Sequence, residues 1–218
     1  TMLAYITTDA AISKTLLQEA LSSSIVDSFN MISVDGDTST NDTCLVLANG
    51  LAGNAEIAEK GEAYDRFCEA LHFVNTWLAK KMAGDGEGAT ALFETTVVNA
   101  ATKQEARILA KSVIGSSLCK AAIYGHDANF GRFLCALGYS GVQFDPEKVA
   151  LFFESKAGKM LIYKDGAATD YSEDEATKIL SEPEVTVLVD MKMGTETATA
   201  WGCDLTYDYV KINADYRS

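Results

Sequence analysis

The sequence predicts a layered α+β fold, and three observations carry that expectation. Helical and strand-like apolar periods are interleaved along the whole chain. Apolar residues make up 48% of the 218 positions and charged ones 22%, ordinary usage for a globular chain long enough to build one sizeable core. The last third is rich in strands, and the earlier helices do not alternate strictly with strands. Layered sheets with helices on their outer faces accommodate that pattern, whereas a doubly wound parallel sheet needs regular alternation.

The elements follow in order. Met2-Leu3-Ala4-Tyr5-Ile6-Thr7 reads as a buried strand, which places Thr1 at a strand end. Ser13 caps a helix running to about Asp27, and Asn30 to Val34 then reads as a strand. Thr43 to Ala48 reads as another strand through its apolar Cys-Leu-Val-Leu core. The longest helix runs from about Glu56 to Met82, with Ile57, Tyr64, Phe67, Leu71, Val74 and Leu78 on one face, and Gly84, Gly86 and Gly88 stop it. Ala91 to Val98 is strand-like, and Ala106, Leu109, Ala110 and Val113 form a helical stripe. Lys120 to Tyr124 reads as a short strand, and Asp127 or Asn129 caps a helix through Leu137. Strands follow at Val149 to Glu154, Lys159 to Tyr163, Val185 to Met191, Thr197 to Trp201 and Leu205 to Ile212. A helix at about Ser172 to Leu180 interrupts them, with Ser172 and Glu175 spaced as a capping box.

The net charge of -13, with Lys and Arg scattered, argues against nucleic acid or an anionic membrane surface as the main partner. The five cysteines show no metal-binding spacing and read as reduced core thiols of a cytoplasmic protein. No apolar run has the length of a transmembrane helix.

Several segments are candidates for chemistry. The chain opens Thr1-Met2, although translation starts at Met. Thr1 is therefore expected to arise from a cut in a longer precursor or from a trimmed end. A free N-terminal Thr carries its own catalytic pair, the hydroxyl as nucleophile and the α-amine as base. Asp35-Gly36-Asp37-Thr38-Ser39-Thr40-Asn41-Asp42-Thr43 fails as a calcium loop, because Thr40 stands where a Gly is needed and Val46 where a Glu should close the site. It reads as a hydrogen-bonded turn or as a functional loop shaping a pocket. Gly84-Asp85-Gly86-Glu87-Gly88 follows a helix, so it is no dinucleotide loop. It presents Glu87 either as a solvated carboxylate or as a grip for a substrate ammonium. His72 and His126 lie near no GxSxG-type motif, which leaves a histidine-based triad without support. The aromatic run from Trp201 to the end looks docked, the simpler alternative being a last sheet strand up to Ile212.

Together, Thr1-Met2-Leu3-Ala4, the segment from Val34 to Thr43, Gly84-Asp85-Gly86-Glu87-Gly88-Ala89-Thr90 and Ala200 to Tyr216 resemble the ornithine acetyltransferases of arginine biosynthesis, the glutamate N-acetyltransferase family. The similar motifs run in order from the first residue to the last. The resemblance implies that the chain is the complete β chain of a precursor that cuts itself between an Ala and Thr1, paired with an α chain in an α2β2 heterotetramer. It implies an αββα-type sandwich, similar in logic to N-terminal-nucleophile hydrolases but differently connected. Residues 1–140 would form a mixed core carrying the nucleophile, and residues 141–218 a strand-rich part completing the substrate site. The implied reaction is ping-pong: Thr1 takes acetyl from N2-acetyl-L-ornithine and passes it to L-glutamate. No cofactor is implied, although some members accept acetyl-CoA as a substrate. Glu87, Asn213 and Ser218 carry over as substrate contacts; many relatives end in Thr where this chain has Ser218. The oxyanion-hole Thr-Gly pair and a substrate-binding Lys belong to the α chain. An N-terminal-nucleophile amidase or aminopeptidase with water as acceptor shares Thr1, and a non-catalytic subunit is the third reading.

Overall fold

The computed structural model describes residues 1–216. It divides into two compact units, one made of Thr1–Asn30 and Gly36–Leu78, the other of Met31–Asp35 and the residues from Ala79 onward. Residues 140 and 141 both lie in the second unit.

In the first unit, strand β1 (Leu3–Thr8) pairs in parallel with β2 (Thr43–Ala48), Leu3 opposite Thr43. The pair forms a sheet of two strands. Ala4 and Ile6 are buried on one face, but Leu3, Tyr5, Leu45 and Leu47 are exposed on the other. β1 is therefore buried on one face alone, not the buried strand expected. Helix α1 (Lys14–Ser24) starts at Ser13, whose hydroxyl accepts the Leu16 N–H and so satisfies an otherwise orphaned helix donor. A single 3-10 turn, Ile25–Asp27, continues it. Helix α2 (Glu62–Gly84) begins six residues later than the sequence indicates. Ile57 is already committed elsewhere: its N–H donates to Ala11 O and its carbonyl accepts from Ser13 N. The buried positions of α2 include Tyr64, Leu71 and Asn75, while Val74, expected on the buried stripe, is exposed.

The second unit is built on a six-stranded mixed sheet in the order β6-β5-β4-β7-β3-β8. Its strands are β3 (Leu92–Ala100), β4 (Ala150–Ser155), β5 (Gly158–Lys164), β6 (Ala167–Ala168), β7 (Glu184–Asp190) and β8 (Glu196–Cys203). Only β3 and β7 pair in parallel. One face is dry: Phe93, Val97, Leu151, Phe153, Val185, Val187, Val189, Ala198 and Ala200 are all buried. Helix α5 (Phe130–Gly138) sets Phe133 edge-on to both Phe93 and Phe153, with ring centroids 6.2 and 5.2 Å apart. Helix α3 (Lys103–Ile114) buries the predicted stripe Ala106, Leu109, Ala110 and Val113. The opposite face carries a polar network in which Glu94 accepts from Trp201 Nε1 at 2.7 Å and pairs with Lys80 at 3.1 Å. The α+β class holds, as does the expectation that the sheet is not doubly wound.

Three segments expected as strands are not strands. Asn30 to Val34 contains a 3-10 turn, Phe29–Met31, and then one isolated bridge from Ile32 to Trp201. Lys120 to Tyr124 belongs to helix α4 (Ser117–Tyr124), where Ser116 caps the first turn. Leu205 to Ile212 gives way to helix α7 (Tyr207–Asp215), where the Thr206 hydroxyl accepts the Tyr209 N–H. In each helical case a hydroxyl cap overrode the β-propensity of Ile, Val and Tyr. The expected capping residue Ser172 does start helix α6 (Glu173–Leu180) by accepting the Glu175 N–H. All five cysteines are free; Cys119 and Cys203 are buried, Cys44 and Cys68 half-buried, and Cys135 is exposed rather than in the core. No helix among the described residues is long and apolar enough to cross a membrane.

Candidate active site

Thr1 stands immediately before β1 in the first unit, and the polar loop leading into β2 reaches back to it. Thr1 Oγ1 lies 2.8 Å from Ser39 Oγ. The next residue is gripped at both backbone groups: Met2 N–H donates to Asp42 Oδ1 at 2.7 Å, and Met2 O accepts from Thr43 N at 2.8 Å. Within the loop, Asn41 N–H donates to Ser39 Oγ at 3.1 Å and Thr43 Oγ1 donates to Asn41 O at 3.0 Å. These are the side-chain-to-backbone bonds by which Ser, Thr and Asn replace a backbone ladder in a turn. Among the described residues no group of three or more His, Cys, Asp or Glu could hold a metal ion.

Glu87 lies in the second unit, on the loop after α2, with an exposed side chain. Two glycines let this loop sit where no other residue fits. A Cβ on Gly86 would lie 2.8 Å from Cys203 Sγ and 2.9 Å from Val34 Cγ1. Gly88 has φ +68°, and a Cβ there would lie 2.8 Å from both Asp208 Cβ and Tyr209 N. The loop is thus pressed against the end of β8 and the first turn of α7. Thr206 Oγ1 donates to Gly88 O at 2.8 Å. Asn213 sits on α7 and donates through Nδ2 to Tyr209 O at 3.0 Å. Tyr209 OH donates to Asp35 Oδ2 at 3.0 Å. The fold therefore sets the Glu87 loop and the Asn213 helix side by side within one unit. Thr1 belongs to the other unit, and Ser218 lies outside the described residues.

A buried polar cluster supports the Glu87 loop. Asp204 is 3% exposed and accepts from Thr90 N at 2.8 Å, Ala91 N at 3.1 Å and Thr90 Oγ1. Three donors satisfy a carboxylate that would otherwise be costly to bury. Lys120, 4% exposed, donates from Nζ to Cys203 O and stands 3.7 Å from Cys203 Sγ. Burial pulls the Lys120 ammonium below its ordinary range, against the opposing pull of Cys203, Asp204 and Asp35. Burial also pushes the Cys203 thiol up, which keeps it protonated at neutral pH.

Sequence reasoning singled out Thr1, Glu87 and Asn213 but missed Ser39, Asp42, Lys120 and Asp204. Ser39 and Asp42 lay inside the polar segment already marked as unusual. Lys120 carried a signal of its own, a lone cation in the apolar stretch Cys119-Lys120-Ala121-Ala122-Ile123. The histidines form no triad. His126 Nδ1 is 3.3 Å from Ser181 Oγ, but the Ser181 proton is given to Thr177 O at 2.7 Å. His72 Nδ1 is 3.3 Å from Ser24 Oγ, which already accepts from Asn75 Nδ2 at 2.9 Å.

The model of one family, described as the ArgJ family, matches residues 1–218. The chain belongs to the ArgJ family. It is 53% identical over 218 residues to the arginine biosynthesis bifunctional protein ArgJ of Thermotoga neapolitana, covering all of this chain and 55% of that protein. It is 51% identical to ArgJ 1 of Clostridium acetobutylicum, covering 53% of that protein. The chain thus spans about half the length of the curated relatives it matches. The crystal structure of ArgJ from Bacillus halodurans superimposes with a TM-score of 0.94 at 46% identity, covering 99% of this chain and 100% of that one. At that identity the ArgJ fold carries over to this chain.

Proposed function

We propose that this chain is part of an enzyme that moves acetyl from N2-acetyl-L-ornithine to L-glutamate in two half-reactions through an ester on Thr1. The observation that carries the reading is the match to the ArgJ family along the whole chain, with relatives named as arginine biosynthesis proteins. In the first half-reaction Thr1 Oγ attacks the acetyl carbonyl while the α-amine of Thr1 takes its proton. The tetrahedral intermediate collapses, the C–N bond breaks, and the proton returns to ornithine as it leaves. In the second, the glutamate amine attacks the ester carbonyl and Thr1 Oγ departs with the proton, which restores the enzyme. An amide is a poor electrophile, so a positioned nucleophile and an oxyanion hole are both required.

Glu87 would pair with the cationic end of ornithine, and its exposed loop position leaves the carboxylate accessible. Asn213 and Ser218 are assigned further substrate contacts. The oxyanion hole, and a Lys for the anionic acceptor, are assigned to an α chain made from the remaining length of the ArgJ protein. The open apolar face of Leu3, Tyr5, Leu45 and Leu47 is a surface such a chain could cover. The assembly is an α2β2 heterotetramer of the cytoplasm, acting without a cofactor and with acetyl-CoA as an alternative acetyl donor.

The test is a product assay on the enzyme made from its full gene, supplied with N2-acetyl-L-ornithine and L-glutamate. Ornithine and N-acetylglutamate should appear in equal amounts. Free acetate in place of N-acetylglutamate would make water the acceptor and the enzyme an amidase.

A further inference from the structure

Thr1 is exposed, so packing alone does not select one of the staggered wells of its side chain. A nucleophile left to rotate forfeits much of the advantage of being bound beside its target. The loop before β2 supplies what packing does not. We propose that Ser39 is a catalytic residue that holds and polarises the Thr1 hydroxyl, and that Asp42 is a positioning residue that fixes the backbone next to it. The proposal rests on the reading of Thr1 as the nucleophile.

The geometry is specific at each point. Ser39 Oγ is 2.8 Å from Thr1 Oγ1 and accepts the Asn41 N–H at 3.1 Å. The Asn41 bond fixes the Ser39 rotamer, so the contact to Thr1 is made by a hydroxyl that is itself held. One Ser39 lone pair is engaged by Asn41, which leaves a second lone pair and the O–H for Thr1. As the Thr1 proton leaves and negative charge develops on Oγ1, the Ser39 O–H can turn to donate to it. A hydroxyl that switches from acceptor to donor gains strength where the charge appears, and the gain falls on the reaction barrier rather than on substrate binding. Asp42 acts one bond further back. Its carboxylate takes the Met2 N–H at 2.7 Å while Thr43 N–H holds the Met2 carbonyl. The Thr1–Met2 peptide is thereby fixed at its N–H by the loop, and the Met2–Leu3 peptide that follows is fixed at its carbonyl by β2.

The experiment measures the single-turnover rate of ornithine release from N2-acetyl-L-ornithine, with acetylation of Thr1 followed in the same quenched samples. It uses the enzyme made from its full gene, as wild type, Ser39→Ala, Ser39→Cys and Ser39→Thr. Ser39→Ala should slow acetylation about 10- to 100-fold with KM within about threefold, because a contact that strengthens in the transition state is lost. Ser39→Thr keeps the hydroxyl and should recover the rate to within about threefold of wild type. A wild-type acetylation rate in Ser39→Ala overturns the proposal. If Ser39→Ala does not fold, Ser39→Cys decides, since it keeps the size and weakens the hydrogen bond; a wild-type rate there overturns the proposal equally. The reading of Thr1 fails separately: a wild-type enzyme that turns over without acetylating Thr1 removes both, whereas acetylated Thr1 with an indifferent Ser39 removes this proposal alone.

Discussion

The two units hold their chemical groups in different ways. The second unit holds Glu87 from beneath, on a loop wedged by Gly86 and Gly88 over the buried pair Lys120 and Asp204, beside a sheet whose core face is dry. The first unit holds Thr1 by hydrogen bonds at an exposed strand end, on a two-stranded sheet with four large apolar side chains open on one face. The Glu87 loop is therefore secured by packing that this chain supplies itself. Thr1 is secured by a few directed contacts, each of which matters singly. Substitutions in the two places should differ in kind: those around Thr1 should change rates, and those beneath Glu87 should change stability and substrate affinity together.

Thr1→Ala is the harshest test on the rate side. Acetyl transfer should fall by on the order of 10⁴-fold or more, because the attacking atom is gone while binding groups remain. In the uncut gene product the same change should stop cleavage before Thr1, which gel electrophoresis reads directly. On the stability side, Gly88→Ala forces a Cβ onto backbone at φ +68°. It should cost about 2–4 kcal/mol in denaturant unfolding and weaken N2-acetyl-L-ornithine binding. Lys120→Met leaves the Cys203 carbonyl without its buried donor and should cost about 1–3 kcal/mol at neutral pH. Glu87→Ala should raise KM for N2-acetyl-L-ornithine about 10-fold with little change in kcat, as expected for a lost charge-assisted contact that is equally strong before and during reaction.

The smallest effect is in the pH dependence. Burial lowers the Lys120 ammonium below its ordinary value of 10.5. Between its folded value and 10.5 the unfolded chain binds more protons at this residue, so its contribution to stability rises with pH. The stability of the wild type relative to Lys120→Met should therefore increase on going alkaline across that interval. A constant difference would remove the assigned cost of burying this charge.

Much of this was legible in the sequence, for reasons that differ by element. β3, β4, β5, β7 and β8 stand out because their apolar residues must fill one sheet face, and that demand leaves a pattern within a few residues. The Ser172 cap of α6 is equally local. Helices α4 and α7 were misread because each spans only two or three turns, and a cap outweighed strand-forming side chains. Thr1 and Glu87 were found because an N-terminal hydroxyl and a carboxylate among glycines are unusual in themselves. Ser39 and Asp42 gain their meaning from partners 38 and 40 residues away, which no local pattern encodes. The support of the Glu87 loop is hidden in the same way, since Asp204 bonds Thr90 across 114 residues.

The central proposal is that Thr1 carries the acetyl group from donor to acceptor. Mass spectrometry of the enzyme mixed with N2-acetyl-L-ornithine alone, followed by peptide mapping, tests it most directly. The account predicts one acetyl group on the peptide beginning at Thr1, lost again when L-glutamate is added. An adduct on another residue, or turnover with Thr1 never modified, would contradict it.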